Sequence, residues 1–163
     1  MKYPFRIFLA ILSVFVLTLS ACSNRDASKI QEAEKMIVAN PDSAMTMLRE
    51  VVNPHLLPDS AQALYWLSIA NIHSNLHQSL SEDSMVCWSA DFYLNAWQDV
   101  PQNERTSLLT KRMMKAQMLK VFYYWWINEK ETAYKYLEDT SYKAPSAKRI
   151  KEYPFDSDRK MMS

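Results

Sequence analysis

Two histidines have a spacing that could support metal chemistry. His73 and His77 stand four positions apart in a segment of helical periodicity, so both imidazoles could face one ion. No glutamate follows His73, which excludes the zinc hydrolase motif that needs one there. A third ligand would have to come from Glu82, Asp83 or elsewhere in the chain. We therefore expect no metal site and no cofactor, and interpret the pair as part of a solvated helix face.

The densest unusual feature is a run of five aromatic residues, Phe122 to Trp126, in a segment predicted to be helical. Five consecutive residues point all around a helix of 3.6 residues per turn, so one helix contact cannot bury them all. Either the helix is central and packed on two sides, or some rings form a ligand surface that stacks on a sugar or grips a peptide. The candidate surface residues are Tyr123, Tyr124, Trp125 and Trp126.

The chain offers no pattern that frames a catalytic centre. Its carboxylates are scattered, without a pair enclosed by apolar residues that would raise a pKa. Cys87 lies among Met85, Val86 and Trp88, which predicts a buried small hydrophobic residue and not a reactive thiol. We expect no catalytic residue and no enzymatic activity.

Composition excludes several classes of protein. The 163 residues include no glycine, where average usage of roughly 7% would give about 11. Phosphate-binding loops, dinucleotide fingerprints and nucleophile elbows all need glycine, as do the favoured two-residue hairpin turns. Lys and Arg number 19 against 18 Asp and Glu, so no basic field favours nucleic-acid binding. The sequence therefore predicts an all-α protein without a nucleic-acid partner.

The chain begins like a secretory signal peptide. Lys2 and Arg6 precede an uncharged, largely apolar run from Ile7 to Ala21, which is too short to span a bilayer comfortably. This run ends in Leu19-Ser20-Ala21-Cys22, which resembles the lipobox of bacterial lipoproteins at all four positions. The resemblance implies cleavage between Ala21 and Cys22 and acylation of Cys22. We accordingly expect a cell-envelope protein held to a membrane by its lipid anchor, in the outer membrane in preference to the inner.

Apolar periodicity predicts helices that pack as antiparallel hairpins, in a bundle or array of five to six. The predicted segments are 28–39, 43–52, 60–77, 84–97, 104–127 and 130–141. The apolar stripe of the second consists of Ala44, Met47, Leu48 and Val51, and that of the sixth consists of Ala133, Tyr134 and Leu137. Similar tripeptides, Pro41-Asp42-Ser43 and Pro58-Asp59-Ser60, precede the second and third, and Asp83-Ser84 precedes the fourth. We expect the aspartate or serine in each to accept a hydrogen bond from a first-turn amide.

The helical region also resembles tetratricopeptide repeats. Tyr124, Ala133, Leu137 and Pro145 fall at signature positions of the roughly 34-residue repeat, whereas Val121 and Thr140 replace smaller residues. The segments Asn40 to Leu48 and Gln62 to Leu67, with Asp83-Ser84-Met85-Val86 and Phe92-Tyr93, resemble helical-repeat lipoproteins of gut Gram-negative bacteria. In longer relatives such an array can serve as the sensor arm of a membrane-bound transcriptional regulator. The resemblance implies a divergent repeat array that is either a truncated relative of such an arm or needs a partner.

These observations predict four regions and one main function. The regions are a signal peptide at 1–21, a polar tether at 22–27, a helical-repeat-like domain at 28–145 and a polar tail at 146–163. The expected function is a lipid-anchored scaffold that binds a protein or peptide. The alternative is a glycan-binding or small-ligand-binding lipoprotein that uses the surface from Tyr123 to Trp126.

Overall fold

The computed structural model describes residues 25–143, which form an all-α structure without a β-strand in that range. The predicted fold class is confirmed. The signal peptide, Cys22, Pro145 and the polar tail lie outside the described residues. The helices are α1 (25–36), α2 (Pro41–Arg49), α3 (Asp59–Asn75), α4 (Met85–Asp99), α5 (Ser107–Trp126) and α6 (Lys130–Lys143). Short 3-10 turns occupy Pro54–Leu56 and Gln102–Glu104.

The helix starts differ from the predicted capping. At α2 the side chain of Asn40, not Asp42 or Ser43, accepts the hydrogen bond, from the Ser43 amide at 3.1 Å. Pro58 precedes α3 and Ser84 precedes α4, and neither provides a side-chain cap. The prediction of aspartate or serine caps was therefore wrong. Because proline carries no amide hydrogen and presets a helical φ, α2 starts at Pro41 itself, and Asn40, the residue before it, is the cap.

Among the described residues, those from 25 to His77 form one compact unit and those from Gln78 to 143 form another. The N-terminal unit has an apolar core contributed by α1, α2, α3 and the connection before α3. The predicted stripe is confirmed, because Ala44 and Leu48 are buried and Met47 is half-buried on α2, and Val51, two residues past the end of this helix, is buried as well. The other buried core residues are Ile30, Ala33, Ile37, Leu57, Leu64, Tyr65 and Ile72.

The C-terminal unit is organised around α5, which packs against α4 and α6. The buried amide of Gln117 donates a hydrogen bond to the carbonyl of Ala90 at 2.8 Å, which ties the middle of α5 to α4. At the α4–α5 connection, Trp97 donates to the Thr110 hydroxyl at 3.3 Å. The guanidinium of Arg105 lies 3.6 Å above the Trp97 ring. These contacts fix the register of α4 against α5.

Two helices end at positions where glycine is usual. The residue after the α5 cap is Asn128, at φ 63°, and the corresponding residue after α3 is His77, at φ 54°. At α5 the amides of Asn128 and Glu129 donate to the carbonyls of Trp125 and Tyr124, at 3.1 and 2.9 Å. This pair of bonds is a Schellman motif, with asparagine in the left-handed position. The glycine-free chain thus keeps ordinary helix ends by using polar residues at positive φ.

Candidate functional site

The aromatic run of α5 divides between the interior and the surface. Phe122, Tyr123, Tyr124 and Trp125 are half-buried, whereas Trp126 is 50% exposed. The division follows from helix geometry, because consecutive residues are rotated by about 100° around the axis. Helix α6 packs beside the aromatic run, and its Tyr134 and Tyr136 contact rings of that run.

Tyr124 faces the interior of the C-terminal unit. Its ring stacks on Tyr136 of α6, with ring centroids 5.3 Å apart and planes 15° from parallel. Its hydroxyl is hydrogen-bonded to Cys87 of α4 and to Tyr136. Burial, together with these two neighbours, raises the pKa of Tyr124 far above its usual 10.0. Tyr124 therefore links three helices and stays protonated at neutral pH.

Cys87 belongs to the same cluster. The thiol is half-buried, and burial raises its pKa above the usual 9.0. The hydrogen bond with Tyr124 and the charge of Lys120 oppose this increase, and the charge of Asp91 adds to it. A thiol with a raised pKa is mostly protonated at neutral pH and reacts slowly as a nucleophile.

Trp125, Trp126, Lys130 and Tyr134 form what we call the aromatic turn, at the connection between α5 and α6. The Trp125 and Tyr134 rings meet edge to face, with centroids 6.1 Å apart. The ammonium of Lys130 lies 5.0 Å from the centre of the Trp125 ring. Trp126 and Tyr134 are the two large exposed apolar side chains of this turn. The Schellman motif at Asn128 sets the direction of the chain between α5 and α6.

The aromatic turn contains only half of the predicted ligand surface. Trp125 and Trp126 belong to it, while Tyr123 packs beside Tyr124, with centroids 5.4 Å apart. Tyr134 was expected on the apolar stripe of the sixth predicted helix, whereas Tyr136 was not predicted to be a site residue. Tyr136 could have been identified from the sequence, because it lies two positions after Tyr134 in the helix that follows the aromatic run.

The two histidines do not share one helix face. His73 lies in the last turn of α3, and His77 lies beyond its end at positive φ. Since the chain leaves the helix between them, the regular four-residue spacing that would direct both imidazoles to one ion is lost. Among the described residues, no group of three His, Cys, Asp or Glu side chains is arranged to hold a metal ion.

Within residues 25–143, none of the helices combines the length and apolar character needed to cross a membrane. In comparisons with known proteins, no family model, no curated protein and no solved structure matches this chain.

Proposed function

We propose that this chain is a lipid-anchored protein of the cell envelope whose helical domain is a scaffold for a protein or peptide partner. Support for the anchor comes from Leu19-Ser20-Ala21-Cys22, where an apolar residue and two small residues precede a cysteine at the end of an apolar run. Several acyl chains give stable membrane attachment, whereas a single chain gives only marginal binding. In this proposal the acylated Cys22 holds the helical domain at a membrane surface.

The aromatic turn is the observation that carries the proposed binding function. Trp126 is half-exposed, and Tyr134, whose ring meets the neighbouring Trp125 edge to face, is exposed as well. Tryptophan and tyrosine are enriched among residues that dominate binding energy, because they bury a large area at low entropic cost. The Trp125 ring contacts both Tyr134 and the Lys130 ammonium, so a partner would meet side chains that are already positioned.

Acylation is tested by metabolic labelling with radioactive palmitate. The full chain should incorporate the label, and the Cys22→Ser variant should not. Labelling of that variant would overturn the lipobox assignment. The Cys87→Ser variant is the matched control, since it removes the other cysteine of the chain and should leave labelling unchanged.

Partner binding is tested by covalent capture in the native envelope. A photo-crosslinking amino acid replaces Tyr134, and the adduct is identified by mass spectrometry. We expect one protein adduct that disappears when Trp126→Ala is added. Leu108→Ala is the control, because Leu108 is also about half-exposed (51%) but lies at the opposite end of α5. An adduct that survives Trp126→Ala would contradict a binding role for the aromatic turn.

A glycan or small ligand is the alternative occupant of the aromatic turn. The exposed rings of Trp126 and Tyr134 are of the kind that stack on sugars, which favours this second candidate. Binding of the purified protein to a glycan array, lost in Trp126→Ala, would support it. A protein adduct without any glycan signal would support the main proposal.

A further inference from the structure

The connection between α2 and α3 exposes two aliphatic side chains. Val52 is 83% exposed and Leu56 is 81% exposed, which are among the highest values for large apolar residues in the described chain. Their neighbours behave in the opposite way, since Val51 and Leu57 are buried in the core of the N-terminal unit. The connection is therefore packed into the core at Val51 and Leu57, whereas Val52 and Leu56 between them are exposed.

This connection is held in one conformation by contacts within its own unit. The amide of Leu57 donates to the carbonyl of Pro54 at 3.2 Å, closing the 3-10 turn. The side-chain amide of Gln62 donates to the same carbonyl at 3.3 Å, and the His55 ring lies 5.3 Å from the Trp66 ring. These contacts define the conformation of the turn, and in that conformation Val52 and Leu56 are exposed.

One ion pair places this connection next to the beginning of α1. The ammonium of Lys29 lies 2.6 Å from a carboxylate oxygen of Glu50, two residues before Val52. The hydrogen bond from Lys29 and then its charge lower the pKa of Glu50, against a smaller opposing effect of burial, and the charge of Arg25 lowers it further. The start of α1 and the end of α2 therefore lie at the same end of the N-terminal unit.

The proposed acylation site is only three residues before residue 25 in the sequence. Three residues can span at most about 10 Å, even when fully extended. If Cys22 carries the lipid, the membrane surface must lie close to the start of α1, and the α2–α3 connection lies at that same end. Arg25 and Arg49 are exposed at this end, and the carboxylates of Glu50 and Asp59 offset their charge, so the aliphatic pair is the feature that suits a lipid surface.

We infer that Val52 and Leu56 insert into the lipid interface and form a second membrane contact beside the acyl anchor. This inference rests on the proposed lipid anchor. A bilayer surface is the occupant that accounts for both the exposed aliphatic pair and its position at the tethered end. Two contacts would also orient the N-terminal unit on the membrane, which attachment at a single point does not do.

The test uses the acylated full chain with an environment-sensitive fluorophore on a single cysteine. In a Cys87→Ser background, the label is placed at Val52→Cys, at Leu56→Cys or at Val38→Cys. Val38 is the matched control, because it is an aliphatic residue with 88% exposure just beyond the other end of α1. Each protein is added from detergent to vesicles of phosphatidylethanolamine and phosphatidylglycerol.

We expect the labels at positions 52 and 56 to shift their emission to the blue and to be quenched by aqueous iodide several-fold less than the label at position 38. Adding Leu56→Asp should restore quenching at position 52, since a carboxylate resists transfer into lipid. Equal quenching at all three positions would overturn the membrane contact. Shielding that requires added envelope proteins would also overturn it, and would assign the connection to a protein partner.

Flotation of the same samples separates the two proposals. Protein that floats with the vesicles but remains fully quenched at positions 52 and 56 keeps its anchor and lacks the second contact. Protein that neither floats nor incorporates palmitate overturns both the anchor and the contact that depends on it.

Discussion

Lys120 of α5 and Asp91 of α4 form an ion pair of unequal burial. The ammonium nitrogen lies 2.7 Å from the carboxylate oxygen, yet the lysine side chain is 5% exposed and the aspartate side chain 58%. The ring of Tyr136 faces the ammonium at 4.2 Å. Lys120 thus buries its charge between a carboxylate and an aromatic face, which is how a buried cation is stabilised in a helical core.

The unequal burial predicts unequal effects of substitution. Asp91→Ala should destabilise the fold by roughly 1 to 3 kcal/mol, because the ammonium would remain buried without its counter-ion. Lys120→Met should cost less, since it removes the buried charge and keeps a side chain of similar length. Urea unfolding followed by circular dichroism measures both values. A larger loss for Lys120→Met than for Asp91→Ala would contradict this account.

Replacing Asn128 or His77, which both lie at positive φ, by glycine should increase the free energy of unfolding. Asn128→Gly should stabilise the protein by about 0.5 to 1 kcal/mol, because glycine reaches positive φ without a steric cost. Asn128→Val should destabilise it, since β-branched residues are poorly accommodated at positive φ. Thermal unfolding compares the variants, and His77→Gly repeats the test in the N-terminal unit. Asn75→Gly is the control, because Asn75 is the last residue of α3 and helical glycine should destabilise.

The environment of Cys87 predicts a slow and pH-dependent reaction with iodoacetamide. Burial raises the thiol pKa, so less thiolate is present at a given pH and the midpoint of the rate profile should lie above 9.0. Tyr124→Phe should move the midpoint higher, because it removes a hydrogen bond that lowers this pKa. The same variant in urea should react like an ordinary cysteine. A midpoint below 9.0 in the folded protein would contradict the assigned environment.

Neighbouring tryptophans of the aromatic turn should respond differently to truncation. Trp125→Ala should reduce the free energy of unfolding by roughly 1 to 3 kcal/mol, since the ring contacts Tyr134 and Lys130 and is half-buried. Trp126→Ala should change it by less than about 1 kcal/mol, because half of the side chain already contacts water. Denaturant titration of both variants provides the measurement. Equal losses would show that Trp126 is a core residue and would remove the basis for the proposed binding surface.

Much of the architecture was predictable from local patterns. The apolar stripe of α2 identified Ala44, Leu48 and Val51 as core residues, because the period of a helix fixes which positions share a face. The start of α5 was less predictable. Its first residues were expected at Glu104, whereas a 3-10 turn ends there and α5 begins at Ser107, with the Thr106 hydroxyl accepting from the Leu109 amide. Local propensity alone does not distinguish these two helix types at a boundary.

The sequence by itself determined the all-α class, since a chain without glycine but with regular apolar stripes favours helices over tight β-hairpins. Only the tertiary structure decided which aromatic rings are internal, because Tyr124 meets Tyr136 across two helices. It also decided that Lys29 pairs with Glu50. This ion pair places the α2–α3 connection, which includes Val52 and Leu56, at the same end of the unit as the start of α1. Helical periodicity is a property of neighbouring residues, whereas these contacts depend on how separate helices cross and on where the chain turns between them.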